Sequence, residues 1–146
     1  MAMPVEPLEK RVFYAQVIAV VGLSKDESKP SNEVARYLLS KGKKIIPVNP
    51  TAEEILGLKC YPSLLAIPPE ISKDIDMVDV FRRSGDVPQI AKDAIALRER
   101  NGNFRPGVFW MQLGIVNGQA AQELKKAGFK VVMDRCAKIE LSAYVR

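Results

Sequence analysis

Val17–Val21 is an unbroken apolar run, VIAVV, and it ends on Gly22. A strand written this way has no polar face, so both of its sides must be covered. A polar loop follows, carrying Lys25 and Lys29. Pro30-Ser31 then opens an amphipathic stretch with Val34, Tyr37 and Leu38 along one side. A buried strand that feeds a glycine and then a helix N-terminus is how α/β folds present main-chain N–H groups to a phosphate.

The rest of the chain repeats the alternation. Gln16–Val21 reads as the first strand, Ser31–Lys41 as a helix stopped by Gly42, and Lys44–Val48 as a strand ended by Asn49-Pro50. Thr51–Leu65 reads as irregular, with a short extended piece around Leu58–Cys60, and Ile75–Phe81 as the next strand. Asp86-Val87-Pro88-Gln89 has the pattern of a capping box with proline in the first turn. It predicts a helix running to Arg100 with Ile90, Ala94 and Leu97 inward. Val108–Met111 is the fourth strand. Asn117 caps a helix whose apolar line is Ala120, Ala121, Leu124 and Ala127, with Gly128 as its stop. Phe129–Met133 is the last strand and Cys136–Tyr144 a closing helix, while Glu6–Tyr14 reads as a helix before the first strand.

Apolar strands alternating with helices predict an α/β fold, a three-layer doubly wound parallel sheet of about five strands in the order 3-2-1-4-5. Ligands of such sheets lie beyond the carboxyl ends of the strands, here at the expected switch point between strands 1 and 4. The functional shortlist is therefore Gly22–Ser24, Asn49–Pro50, Phe81–Arg83, Gln112–Gly114 and Asp134–Cys136.

Composition narrows the chemistry. A length of 146 residues with 47% apolar content fits one domain, 1–146, with its own core. The N-terminal segment MAMPVEPLEKR lacks the basic-then-apolar pattern of a secretion signal, and Val17–Val21 is too short to span a bilayer. Cys60 and Cys136 form no C-x-x-C pair, so free thiols in a reducing cytoplasm are expected, with no membrane partner. The chain has no histidine, which removes the commonest general base and the commonest zinc ligand. A net charge of +5 points to an anionic partner. The basic clusters form no single stripe and are not interleaved with aromatics, so nucleic acid is not expected.

Several shortlisted residues carry two readings each. Gly22 either lets a pyrophosphate approach the backbone or makes a tight strand exit. Ser24 is a hydroxyl donor to phosphate or an ordinary loop serine. Arg82 and Arg83, directly after Val80-Phe81, are placed as a guanidinium fork for phosphate. Phe81 either stacks on an adenine or fills the core. Asp76 and Asp79 are acid–base carboxylates or occupants of edge and terminal strand positions. Cys136, beside Arg135 at a helix start, is a partly ionised thiol or a small buried residue. The first turn is not G-x-G-x-x-G, and the second strand ends without the acid that holds a nicotinamide cofactor's ribose. The P-loop pattern is absent as well.

The segments IAVVGLSKDESKPSNEVARYL, IIPVNP followed by ILG, VDVFRRS, WMQLGI, and VVMDRC followed by IE occur in that order over Gln16–Glu140. Together they resemble the single-domain CoA-binding protein family, related to the N-terminal CoA-binding domain of the succinyl-CoA synthetase α subunit. The resemblance implies a Rossmann-like fold holding coenzyme A or acyl-CoA across its strand ends. It implies that Gly22, Leu23 and Ser24 face the pyrophosphate and that Lys29, Pro30 and Ser31 lie by the phosphates. Asn49, Pro50, Phe81, Arg82 and Arg83 would bound the nucleotide, and Gln112–Gly114 with Cys136 would lie toward the pantetheine arm. Members usually carry histidine after the glutamate that follows the DRC motif, whereas Glu140 here precedes Leu141. The expectation is binding of CoA without chemistry of the chain's own. The alternatives are an NAD(P)-binding Rossmann enzyme and a thiol-redox protein in which Cys136 forms a mixed disulfide with CoA.

Overall fold

The structure is a computed structural model that describes residues 6–145. Residues 1–5, which begin the segment read for a secretion signal, and residue 146 lie outside the described residues, as do those ends of the expected 1–146 domain. A short 3-10 turn and α1 (Arg11–Tyr14) lead into β1 (Val17–Val21), α2 (Pro30–Ser40) and β2 (Lys44–Val48). A small hairpin, β3 (Glu54–Ile55) with β4 (Leu58–Lys59), and the one-turn α3 (Pro69–Ser72) come next. Then β5 (Met77–Val80), α4 (Val87–Asn101), β6 (Val108–Met111), α5 (Gly118–Lys126), β7 (Lys130–Val132) and α6 (Ala137–Ser142) complete the chain.

The main sheet has five strands in the order β2-β1-β5-β6-β7, and every pairing is parallel. The doubly wound α/β class is the one the sequence predicts. The two-way winding of 3-2-1-4-5 also holds, but its outermost position is filled differently. Outside β2, among the described residues, lies a single parallel bridge, Val48 with Tyr61. The third long strand, read from Ile75–Phe81, pairs with β1 on the other side. The switch point therefore falls between β1 and β5 rather than beside Val108–Met111. The stub is short because Pro62 follows Tyr61 at once and has no N–H to continue a ladder.

The apolar strands divide their side chains between two cores. Ala19, Val21, Val78, Val80, Phe109 and Met111 pack on one face, with Ala91, Ala94 and Leu97 of α4 and Ala120, Ala121 and Leu124 of α5. Ile18, Val20, Met77 and Trp110 pack on the other, with Val34, Ala35 and Leu38 of α2 and Ala137 and Leu141 of α6. This is why the strands show no polar alternation.

Two expectations about carboxylates are corrected. Asp86 makes no capping bond to α4; it is itself helical, with φ −85° and ψ −16°. The chain enters α4 through a 3-10 turn, Ser84–Asp86, which turns that side chain away from the helix end. Asp79 is neither at an edge nor at a strand end: it lies inside β5, between Val20 of β1 and Trp110 of β6, with no exposure. Asp76 does sit just before β5 and accepts from the N–H groups of Gln16 and Val17 at 2.9 and 3.0 Å. The closing helix is also shorter than expected and ends at Ser142.

Candidate functional site

The carboxyl ends of β1 and β5 meet at Gly22. Its φ is +86°, and a Cβ placed there would lie 2.5 Å from the carbonyl oxygen of Phe81 and 2.9 Å from Cδ of Arg82. Glycine is thus required by the switch point itself, because the β5–α4 connection occupies the space of a side chain. Of the two readings of Gly22, the tight crossing is the one the packing displays. The stem of Arg82 lies over this glycine.

The loop from Gly22 to Ser31 is tied to its own helix. The N–H of Ser24 donates to Oγ of Ser31 at 3.0 Å, and Nδ2 of Asn32 donates to the carbonyl of Ser24 at 2.8 Å. Oγ of Ser24 accepts from the N–H of Asp26 at 3.0 Å. Nδ2 of Asn49, at the end of β2, donates to the carbonyl of Leu23 at 2.9 Å, while its Oδ1 accepts from Thr51. Asn49 therefore pins the first turn with both ends of its amide. Leu23 has no exposure, main chain included, so it supports the turn from beneath. Lys29 occupies the position before α2, exposed, with no side-chain capping bond.

Two clefts open on either side of Arg82. The first, of about 340 Å³, is bounded by Gly22 and Pro50 at the strand ends and by Asp86, Gln89, Ile90 and Asp93 of the α4 segment. The second, of about 620 Å³, is bounded by Pro30 and Ser31 of α2, by Phe81 and Arg83, and by Gly114 and Cys136. Arg82 lines both. The shortlisted residues are therefore split. Pro50 and Gly22 fall on one side, and Phe81, Arg83, Gly114 and Cys136 fall on the other. Phe81 and Pro50 are not brought together. Lys29, Leu23, Ser24 and Asn49 line neither cleft.

Asp86 and Gln89 are read from the sequence only as a capping box, Ile90 only as an inward helix residue, and Asp93 not at all. Their spacing of three, four and seven residues places them on one helical face, and that periodicity was the available signal. Asp86 itself was hidden by its resemblance to a cap.

The charges are arranged around Asp86. Nη2 of Arg82 lies 3.4 Å and Nε of Arg83 3.9 Å from its Oδ2. That oxygen is buried and accepts no hydrogen bond among the described residues. The side chain of Arg83 is 90% exposed. On the far side of the second cleft, Arg135 is engaged with Glu9 at 3.6 Å and Glu140 at 4.0 Å. The first N–H of α6, from Ala137, donates to Oε1 of Gln112 at 3.1 Å. Arg135 and the first N–H of α6 thus have other partners than the half-buried Cys136. Cys60 is buried, its thiol facing the carbonyl of Asn49 at 3.5 Å, and burial pushes that thiol up.

The CoA binding domain family matches residues 16–142. Uncharacterized protein YneT of Bacillus subtilis is 43% identical over 122 residues, covering 84% of this chain and 82% of that protein. Acetate–CoA ligase [ADP-forming] I of Archaeoglobus fulgidus is 29% identical over 131 residues, covering 87% of this chain, and the match spans only 18% of the ligase. Among solved structures, cell-free ID.343 from Thermus thermophilus superposes with a TM-score of 0.80 at 35% identity, covering 94% of this chain and 96% of that one. On the match over nearly its whole length, the chain belongs to the CoA binding domain family.

Proposed function

We propose that this protein binds coenzyme A, or an acyl-CoA, across the switch point, as a binding module without turnover of its own. The observation that carries the reading is Arg82, a cation standing between two clefts. Coenzyme A has the complementary form: a diphosphate in the middle, a nucleoside on one side and a long pantetheine arm on the other. Its phosphates carry a charge of about −4 near neutrality. Arg82 and Arg83 supply charge of the matching sign, and guanidinium groups suit phosphate geometry. The cleft volumes of about 340 and 620 Å³ are of the size that holds organic ligands.

The nucleoside is assigned to the cleft beside Pro50, and the pantetheine arm to the cleft that contains Cys136. A nicotinamide dinucleotide shares the central diphosphate, but the end of β2 offers it no carboxylate. Asn49 stands there with its amide committed to Leu23 and Thr51. Binding rather than turnover is favoured because the chain has no histidine. No serine or cysteine in the clefts has an evident base beside it.

Calorimetric titration with CoA, dephospho-CoA, ADP and NAD tests the proposal. CoA is expected to bind tightest, followed by dephospho-CoA. NAD binding at least as tightly as CoA overturns it.

A further inference from the structure

We infer that Asp86 is an internal stand-in for the ligand's phosphate: it attracts Arg82 and Arg83 at the strand end and competes with an incoming anion for them. The inference rests on the reading of this site as one for a phosphate-bearing ligand.

Three observations meet at one atom. Oδ2 of Asp86 lies 3.4 Å from Nη2 of Arg82 and 3.9 Å from Nε of Arg83. Both separations exceed the roughly 2.7–3.2 Å of an N–H···O hydrogen bond, so the contacts are coulombic rather than bonded. The same oxygen is buried and has no hydrogen-bond partner among the described residues. A carboxylate so placed was free to serve the helix, since it stands at the N-cap of α4, a position where aspartate usually accepts from the following turn. It makes no such bond. Its side chain faces the arginines instead.

Arg82 is also the residue that must receive a ligand. It borders both clefts, and its stem lies against Gly22. Without a counter-ion, two adjacent guanidinium groups at a strand end repel and spread into solvent. Asp86 draws Arg82 over the switch point, while Arg83, 90% exposed, stays at its rim. The contact is loose enough to be exchanged: a phosphate offers bidentate, charge-assisted hydrogen bonds that the present geometry does not. Binding therefore replaces one anion by another. The cost is the attraction that Asp86 exerts on the arginines together with its repulsion of the incoming phosphate.

The test uses inorganic pyrophosphate and, separately, CoA as probes, by calorimetry at fixed ionic strength. Asp86→Asn keeps the side chain's shape and removes its charge. It is expected to tighten pyrophosphate binding by about 1.5- to fivefold, the range of a partly exposed ion pair. The gain should vanish when Arg82→Ala is combined with Asp86→Asn. Pyrophosphate affinity that is unchanged or weaker in folded Asp86→Asn overturns the inference; a weaker value would make Asp86 a hydrogen-bond acceptor for the ligand. A second readout needs no variant. The carboxyl 13C resonance of Asp86 should move as pyrophosphate saturates the protein, and an unmoved resonance counts equally against the inference. The two proposals fail separately. Tighter pyrophosphate binding with no CoA binding to any form leaves the counter-ion and removes the CoA reading. CoA binding that is indifferent to Asp86→Asn does the reverse.

Discussion

Gly22 shows how one residue can be legible in place and open in cause. Its position at the end of an apolar run marked the switch point. The sequence could not show that the space beside it belongs to Phe81, whose carbonyl oxygen would stand 2.5 Å from an added Cβ. With φ at +86° as well, Gly22→Ala is expected to destabilise the ligand-free protein by about 1–3 kcal/mol. Thermal unfolding without ligand reads this directly; an unchanged midpoint would show that the crossing has room to spare. Asp79 makes a second prediction. It is fully buried in β5, neither carboxyl oxygen has a hydrogen-bond partner among the described residues, and burial raises its titration well above the ordinary carboxylate range. The unfolded chain then releases this proton at lower pH than the folded one. Stability is lost as pH rises through the ordinary carboxylate range, and the loss grows until the folded group itself ionises. Asp79→Val removes the carboxyl and suits a central strand. It is expected to raise stability at pH 7 by about 1–3 kcal/mol, the cost of an unsatisfied buried group. The advantage should shrink as pH falls below the usual range near about 4, where both states of the wild type hold the proton. An advantage equal at pH 7 and pH 3.5 would remove the carboxyl's ionisation from the explanation.

At the scale of elements, two helix starts that look alike in sequence behave differently. Asn117 precedes α5 in the extended conformation, with φ −148° and ψ 100°, and its Oδ1 accepts from the N–H of Ala120 at 2.9 Å. Asp86 precedes α4 already coiled, and its side chain makes no cap. Asn117→Ala should therefore destabilise the protein by about 1 kcal/mol, as loss of a cap does. Asp86→Ala should cost clearly less. Paired urea unfolding curves decide it, and equal losses at the two positions would contradict the difference in their backbone. Both capping patterns were readable; which was used depends on whether a 3-10 turn precedes the helix, and that is set by the Arg83–Asp86 stretch closing on itself, N–H of Asp86 to the carbonyl of Arg83 at 2.8 Å. Lys44–Val48 and Val108–Met111 were legible to the residue, because Asn49-Pro50 closes the first run and Pro106-Gly107 and Gln112 bracket the second. Periodicity carried no information on lateral neighbours. Nothing local in Ile75–Phe81 says that it pairs with β1 instead of lying beyond β2.

The whole molecule makes the site by adjacency. The β1–α2 turn and the β5–α4 turn come from parts of the chain about sixty residues apart, and the sheet order sets them side by side, so that Arg82 lies over Gly22 and borders two clefts at once. The sequence supplied the members of this set, since Gly22, Pro50, Phe81, Arg82, Arg83, Gly114 and Cys136 were all at predicted strand ends. It could not supply their division, because that follows from which helices cover which face. If the clefts are two halves of one ligand site joined at Arg82, their effects must separate when the ligand is cut in two. Gln89→Trp obstructs the cleft beside Pro50, and Ile139→Trp obstructs the cleft that holds Cys136; neither residue is in the core. Gln89→Trp is expected to weaken ADP and CoA while leaving phosphopantetheine unaffected. Ile139→Trp should weaken phosphopantetheine and CoA while leaving ADP unaffected. Arg82→Ala should weaken all three by tenfold or more, since a lost charge-assisted hydrogen bond costs about 1.5–3 kcal/mol. Calorimetry on the three variants with the three ligands measures the pattern. If Ile139→Trp weakens ADP as much as Gln89→Trp does, both fragments share one cleft. Arg82 would then be a wall of that cleft and not the hinge between two.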